Sequence, residues 1–250
     1  MARAAVLGRL SWQAGTVTAL RDETPTARTI ILDVPGWAGH LPGQHVDVRL
    51  TAADGYSAQR SYSIASAPGG PGLELTVQAL PDGEVSPYLT GTLAVGDPLE
   101  LRGPIGGWFV WDPASPAPVL LVAGGSGVVP LMAMIRTRAR ARAAAPFRLL
   151  YSARDPGSVL YAGELERCAQ AGDGIEVAYA YTRSAPPGLR TGRISAVVLA
   201  AGGWPAARAP AVFVCGPTGF VEAAAGLLVD AGHDPAVIKT ERFGPSGGQQ

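Results

Sequence analysis

From residue 118 onward, short apolar runs alternate with alanine-rich stretches, and this alternation narrows the fold more than any other feature of the chain. The runs cover 118–123, 147–153, 175–181 and 211–215, with a fifth at 237–240. Between them lie 129–143, 162–170, 195–201 and 220–231, which have helical composition. Strands alternating with helices predict a parallel sheet, because a parallel neighbour is reached only through a long crossover. Such a sheet binds ligands at the carboxyl ends of its strands. Those ends here carry Gly124-Gly125-Ser126-Gly127-Val128-Val129-Pro130, then 152–155, Thr182-Arg183 and 215–220.

The first part reads differently. Segments 16–20, 28–34, 44–50, 61–66, 73–80 and 98–102 are short, and many are rich in β-branched or alternating apolar residues. Turns such as Pro42-Gly43, Asp54-Gly55 and Pro68-Gly69-Gly70 separate them. Strands at this spacing predict an antiparallel barrel or sandwich. One helix is expected over 86–93, with Ser86 as N-cap and Pro87 at the first helical position. A proline-rich linker at 112–118 then divides the chain into domains of 11–113 and 114–250. With 250 residues, each half can bury its own core.

Composition excludes several classes of function. Twenty basic and twenty acidic residues leave no net charge, so no overall field attracts nucleic acid or an anionic membrane. The apolar runs fall well short of the roughly 18 residues of a membrane span. Residues 1–10 lack a long apolar stretch, so no secretory signal is expected and the location is read as cytoplasmic. Cys168 and Cys215 are the only cysteines, too few for a protein-held iron-sulfur cluster needing four thiolates. His40, His45 and His233 show no metal-ligand spacing, so they are read as surface or packing residues and no metal is expected.

The glycine-rich turn at Gly124, Gly125 and Gly127 follows an apolar strand and opens a helix, where backbone amides and the helix dipole favour a pyrophosphate. A tight strand-to-helix turn with Pro130 near the helix start would look the same. Arg154 ends the second strand and Thr182-Arg183 the third, and guanidinium groups there suit a ribose 2′-phosphate. Asp155 weighs the other way, since a carboxylate suits a free 2′-hydroxyl. Alternation on Arg60-Ser61-Tyr62-Ser63 sends Arg60 and Tyr62 to one face and Ser61 and Ser63 to the other. Such a face can set a guanidinium on a phosphate and a phenol against a planar heterocycle, although an ordinary amphipathic strand has the same period. Cys215, before Gly216 and Pro217, is open to three readings: buried small hydrophobe, metal ligand or reactive thiol.

Taken in order with the tail Glu241-Arg242-Phe243-Gly244, these segments resemble the ferredoxin-NADP reductase superfamily over nearly the whole chain. The resemblance implies two domains: an antiparallel Greek-key β-barrel holding flavin, followed by an α/β doubly wound parallel-sheet domain holding a nicotinamide. It implies FAD in preference to FMN, with Arg60 on the pyrophosphate, Tyr62 against the isoalloxazine and Ser63 near its N5, within the motif that includes Ser61. Gly83-Glu84-Val85-Ser86 is similar to the family's Gly-x-x-Ser element, in which amides such as those of Gly83 and Val85 and the Ser86 hydroxyl meet the flavin phosphate. Gly103-Pro104-Ile105-Gly106 is similar to the turn closing that site. Cys215 is implied beside the nicotinamide, Glu241 near the flavin, and Phe243 as an aromatic that moves for nicotinamide to stack. The glycine-rich end at 245–250 departs from reductases that stop at a terminal aromatic. The implied activity is hydride transfer from NAD(P)H, NADPH favoured over NADH, to FAD and then electron transfer to a ferredoxin, flavodoxin or oxygenase or oxidase subunit. Arg49, Arg60 and Arg102 are candidates for a basic patch facing an acidic carrier. The alternative is a regulatory electron-transfer subunit that does not turn over.

Overall fold

The computed structural model describes residues 10–244. The readings of residues 1–9 and 245–250 lie outside that range. Two sheets build the molecule, each from one half of the sequence.

The first sheet contains β1 (Trp12–Thr24), β2 (Ala27–Asp33), β3 (His45–Thr51), β4 (Ser57–Ser63), β5 (Leu73–Gln78) and β6 (Pro98–Ile105), in the order β4-β3-β6-β1-β2-β5. All neighbours are antiparallel. An isolated bridge between Ile64 and Leu75 joins the two ends of this order and closes the barrel. β1 serves two partners: Trp12 to Thr16 pair with β6, and from Thr16 on the strand pairs with β2 through register shifts. An extra residue in one strand bends it and raises its twist, which lets β1 turn the barrel's corner. Inward-facing Ile30, Leu32, Val46, Val48, Leu75, Val77 and Leu101 fill the interior.

Two expectations shift here. The strand expected at 61–66 lies at Ser57–Ser63. The helix expected over 86–93 is a five-residue wide turn at Tyr88–Thr92, without a side-chain cap. The Ser86 hydroxyl instead accepts the Leu80 N–H at 3.0 Å. The cause is the preceding turn: Gly83 passes so close that an added Cβ would lie 2.9 Å from the Ser86 Oγ.

The second half alternates as the sequence predicts. It runs β7 (Val119–Gly124), α1 (Val128–Ala141), β8 (Phe147–Ala153), α2 (Ala162–Gln170), β9 (Ile175–Tyr181), α3 (Ala196–Gly202), β10 (Ala211–Pro217), α4 (Thr218–Asp230) and β11 (Ile238–Phe243). The sheet order is β11-β10-β7-β8-β9, all parallel. The chain builds outward from β7 through β8 to β9, then returns to place β10 on the other side of β7. The crevice between β7 and β10 is therefore the topological switch point, where such sheets bind ligands.

The segment joining the sheets is buried at two aromatic residues. Phe109 meets Phe213 edge-on at 5.4 Å, and Trp111 meets Phe147 at 4.9 Å. The Trp111 backbone N–H donates to the Pro42 carbonyl of the first half at 3.3 Å. One apolar cluster contains these aromatics, the α1 face of the parallel sheet, and Ala27 and Ala65 of the barrel.

A polar seam completes this interface. Arg136 of α1 donates to both oxygens of Glu164 at 2.8 and 2.6 Å, and to the Ala65 carbonyl and Glu74 of the barrel at 2.9 and 3.1 Å. Beside it the buried Tyr161 hydroxyl donates to Thr76 at 2.5 Å, and Thr76 shares a 2.7 Å hydrogen bond with Thr29. Glu23 accepts from the Thr29 hydroxyl and the Tyr161 N–H. Bidentate and charge-assisted bonds of this kind are the stronger hydrogen bonds in proteins, and here they tie the two sheets together.

Candidate active site

The switch-point crevice is shaped by close backbone contact. An added Cβ on Gly127 would lie 2.1 Å from the Cys215 carbonyl oxygen, so the turn after β7 touches the end of β10 only because that residue is glycine. The Phe220 ring covers Gly124 and Gly216, where added Cβ atoms would lie 2.6 and 2.7 Å from it. Gly125 takes a left-handed φ of 55° and opens a single helical turn that runs into α1, with Pro130 buried in the first turn of that helix. Gly124, Gly125, Gly127, Pro130, Cys215, Gly216 and Pro217 are thus brought to one crevice.

Farther along the same sheet edge, the Thr182 N–H donates to the Ala153 carbonyl at 2.9 Å and the Arg183 N–H to the Arg154 carbonyl at 2.8 Å. These bonds hold Arg154 and Arg183 side by side on the ends of β8 and β9. Both side chains are exposed, and neither has an ion-pair partner among the described residues. Asp155 accepts the Ser158 hydroxyl at 2.9 Å.

On the barrel, β4 carries the flavin-motif residues. Ser61 donates to Asp47 at 2.7 Å, and Asp47 also accepts from Arg102 at 2.6 Å. Burial would raise the Asp47 carboxyl, but those two bonds hold it below the usual range. Ser61 is therefore committed to the barrel's own structure. Tyr62 packs partly into the barrel core, and burial pushes its phenol up to about 12. Arg60 is exposed and bonded to Glu84, next to the Gly83 turn. The Val85 side chain is buried in the barrel core, and Ser86 is buried with its oxygen on Leu80. The basic patch of Arg49, Arg60 and Arg102 is not free. Each guanidinium has a carboxylate partner, Glu100, Glu84 and Asp47 respectively, because neighbouring strands and turns supply one.

Both halves meet at His45. Its strand neighbour in β4 is Ser63, and its Nδ1 lies 4.0 Å from the Glu241 Oε1 of β11. Glu241 is in turn the register neighbour of Cys215. The Glu241 Oε2 is buried with no hydrogen-bond partner among the described residues, and burial pushes the carboxyl up to about 7. Burial and the nearby Glu241 charge raise the Cys215 thiol well above its ordinary value, so it is a protonated, buried group and no nucleophile at neutral pH. Desolvation lowers His45, which is therefore neutral above its ordinary range. Phe243, part-exposed, ends β11 opposite Pro217. His45, beside Ser63, thus approaches Glu241, beside Cys215, whereas Arg60 lies three residues farther along β4 and is bonded to the 83–86 turn.

Sequence reasoning missed four residues at this site. His45 was assigned to the surface or packing, although its place in a strand beside the flavin motif is a usable signal. Glu84 lay inside a recognised element as its variable position. Asp47 and Phe220 have no signal in spacing, since their roles come from pairing across strands and ring packing over glycines.

Comparison with known proteins agrees with this geometry. The oxidoreductase FAD-binding domain model matches residues 17–110, and the oxidoreductase NAD-binding domain model matches 121–226. Ferredoxin--NADP reductase B of Sorangium cellulosum is 40% identical over 183 residues, covering 70% of this chain and 72% of that protein. A glycine betaine monooxygenase reductase subunit of Chromohalobacter salexigens is 34% identical over 235 residues, 89% of this chain and 61% of that protein, so the chain spans less than two-thirds of this relative. The FAD/NAD-binding domain of a nitric oxide dioxygenase from Vibrio cholerae superposes with a TM-score of 0.83 at 25% identity, covering 93% of this chain and 99% of that one. A flavin-binding barrel joined to a nicotinamide-binding parallel sheet defines a class of electron-transferring oxidoreductases. The chain belongs to the ferredoxin-NADP reductase superfamily of FAD-dependent NAD(P)H oxidoreductases. No helix among the described residues is long and apolar enough to cross a membrane.

Proposed function

We propose that the chain transfers reducing equivalents from NADPH to FAD held on residues 11–113 and passes electrons on from there, with the nicotinamide nucleotide held on residues 114–250. The acceptor is a separate carrier, a ferredoxin, flavodoxin or oxygenase or oxidase subunit. The observation that carries this reading is the 4.0 Å approach of His45 on β3, the register neighbour of Ser63, to Glu241 on β11, the register neighbour of Cys215. That approach supports a flavin and a nicotinamide held side by side across it.

The residues present fit both ligands. The buried Glu241 Oε2 lacks a partner and can accept a ligand hydrogen. The glycine turn at 124–127 runs straight into α1, where backbone amides and the helix dipole favour a phosphate. FAD, when bound, accepts two electrons from a nicotinamide and releases them one at a time.

The chain's own groups bind and orient. Arg60 offers an exposed guanidinium to the flavin phosphates, with the Gly83 and Val85 amides and Ser86 beside it. Tyr62 offers a ring held protonated by burial. Ser63 offers a hydroxyl at the seam. Gly124, Gly125, Gly127 and Pro130 shape the nicotinamide pyrophosphate site, and Arg154, Thr182 and Arg183 receive the 2′-phosphate. Cys215, Gly216 and Pro217 form the wall beside the nicotinamide, and Phe243 flanks it at the end of β11. Near pH 7 Glu241 is close to half-protonated, so its carboxyl can hold or release a proton beside Cys215.

The test is anaerobic mixing of flavin-loaded protein with NADPH and with NADH while flavin absorbance is followed. Faster bleaching by NADPH is expected, and Arg183→Ala should reduce that preference about tenfold through one lost charge-assisted phosphate contact. Bound flavin that neither nucleotide bleaches would overturn the reading.

A further inference from the structure

Arg60 is the one guanidinium on β4, and its outward nitrogen is already occupied. Its Nη2 donates to the Glu84 Oε2 at 2.8 Å, and its Nη1 donates to the Gln59 carbonyl at 2.7 Å. The other Glu84 oxygen accepts the Tyr56 hydroxyl at 2.6 Å. Tyr56 and Arg60 lie on the β3–β4 hairpin, and Glu84 lies in the turn between Gly83 and Ser86. The three side chains therefore bridge the two elements that the flavin-phosphate reading needs. Tyr56, Arg60 and Glu84 are all exposed, with about half of the Arg60 and Glu84 side chains accessible at 53% and 50%.

We infer that Glu84 is a resident competitor for the flavin phosphate: a carboxylate seated on Arg60 that the phosphate must displace, so that it sets how tightly the cofactor is held. The inference rests on the proposed flavin reading and concerns the regulation of that same site. An exposed ion pair is weak and exchangeable, so a phosphate with its higher charge can take the guanidinium from it. After exchange, Glu84 remains beside the phosphate as a like charge. Both effects oppose binding, and both act on phosphate alone. The isoalloxazine ring has no part in them.

The test is titration of flavin-free protein with FAD, FMN and riboflavin in turn, read by flavin fluorescence, for the wild type, Glu84→Gln and Glu84→Ala. Glu84→Gln keeps the shape and removes the charge, and Glu84→Ala removes both. The expected result is a dissociation constant about threefold to fivefold lower for FAD and FMN in both variants, with riboflavin unchanged. The gain should shrink as salt rises, since the pair is exposed to screening. Unchanged or weaker FAD binding, or an equal gain for riboflavin, overturns the inference and leaves the flavin reading in place. Wild-type protein that binds no flavin at all would remove the flavin reading and the inference with it.

Discussion

The seam and the cleft lie on the same interface between the two sheets, yet their polar groups are treated in opposite ways. At the seam, Arg136, Glu164, Tyr161, Thr76, Thr29 and Glu23 are joined into hydrogen-bonded chains. At the cleft, Glu241 keeps one buried oxygen without a partner and only approaches His45. Both places are partly to fully shielded from water, so the contrast lies in satisfaction. A saturated network holds its ions charged and its phenol protonated, and its role is attachment. An unsaturated carboxyl is left near neutral pH with capacity to spare, which a ligand or a proton can use.

The widest separation between the two regions should appear on removing Arg136. Arg136→Ala would leave the half-buried Glu164 and the Ala65 carbonyl without this donor and Glu74 with Arg21 alone, a change that costs about 3 kcal/mol. Urea unfolding monitored by tryptophan fluorescence measures it. A loss below about 1 kcal/mol would mean that water reaches the seam and that the contrast with the cleft is false.

At the cleft the effect should depend on pH, and its sign follows from the Glu241 shift. The folded-state pKa of about 7 lies above the ordinary 4.5, so the folded protein binds the extra proton between these values. Stability associated with Glu241 is complete below about pH 4.5 and is lost as pH rises through 7. Glu241→Gln removes this dependence. Relative to the variant, the flavin-free wild type should lose about 3 kcal/mol between pH 4.5 and 8, read from thermal unfolding at a series of pH values. Parallel curves for the two proteins would show that the carboxyl is solvated in solution.

The smallest effect sharpens the comparison within the seam. Tyr161→Phe removes the hydroxyl donated to Thr76, but Thr76 keeps its bond to Thr29. A loss of about 1–2 kcal/mol is expected, since no buried group is left wholly without a partner. A larger loss, approaching that of Arg136→Ala, would show that the chain from Tyr161 to Glu23 acts as one cooperative unit.

Much of the parallel half was legible because its inner strands β7, β8 and β10 are buried on both faces and read as near-continuous apolar runs. Phe147–Ala153, Ile175–Tyr181 and Ala162–Gln170 fall where the sequence places them. The barrel strands were harder. Ser57 to Arg60 begin β4 with no inward apolar residue beyond Ala58, so the strand was read too late, from Ser61. β11 runs on through Glu241 and Arg242, whose polarity hid its end. In the site, local motifs were readable because their chemistry depends on adjacent residues. The Tyr161–Thr76 contact spans 85 residues and the Arg60–Glu84 pair spans 24, and neither has a period or a spacing to betray it. The first arises where the two sheets pack, and the second where the barrel brings β4 to the turn after β5.

The buried aromatic connector has a consequence for a chain divided in two. Phe109 and Trp111 are carried by the segment that leaves the barrel, but they complete the apolar interior of the parallel sheet against Phe213 and Phe147. A cut after residue 113 would leave the first fragment with two large rings and no place to bury them, and the second with the matching hollows. The two pieces, produced separately, should therefore recognise each other on mixing, as halves of a split reporter do.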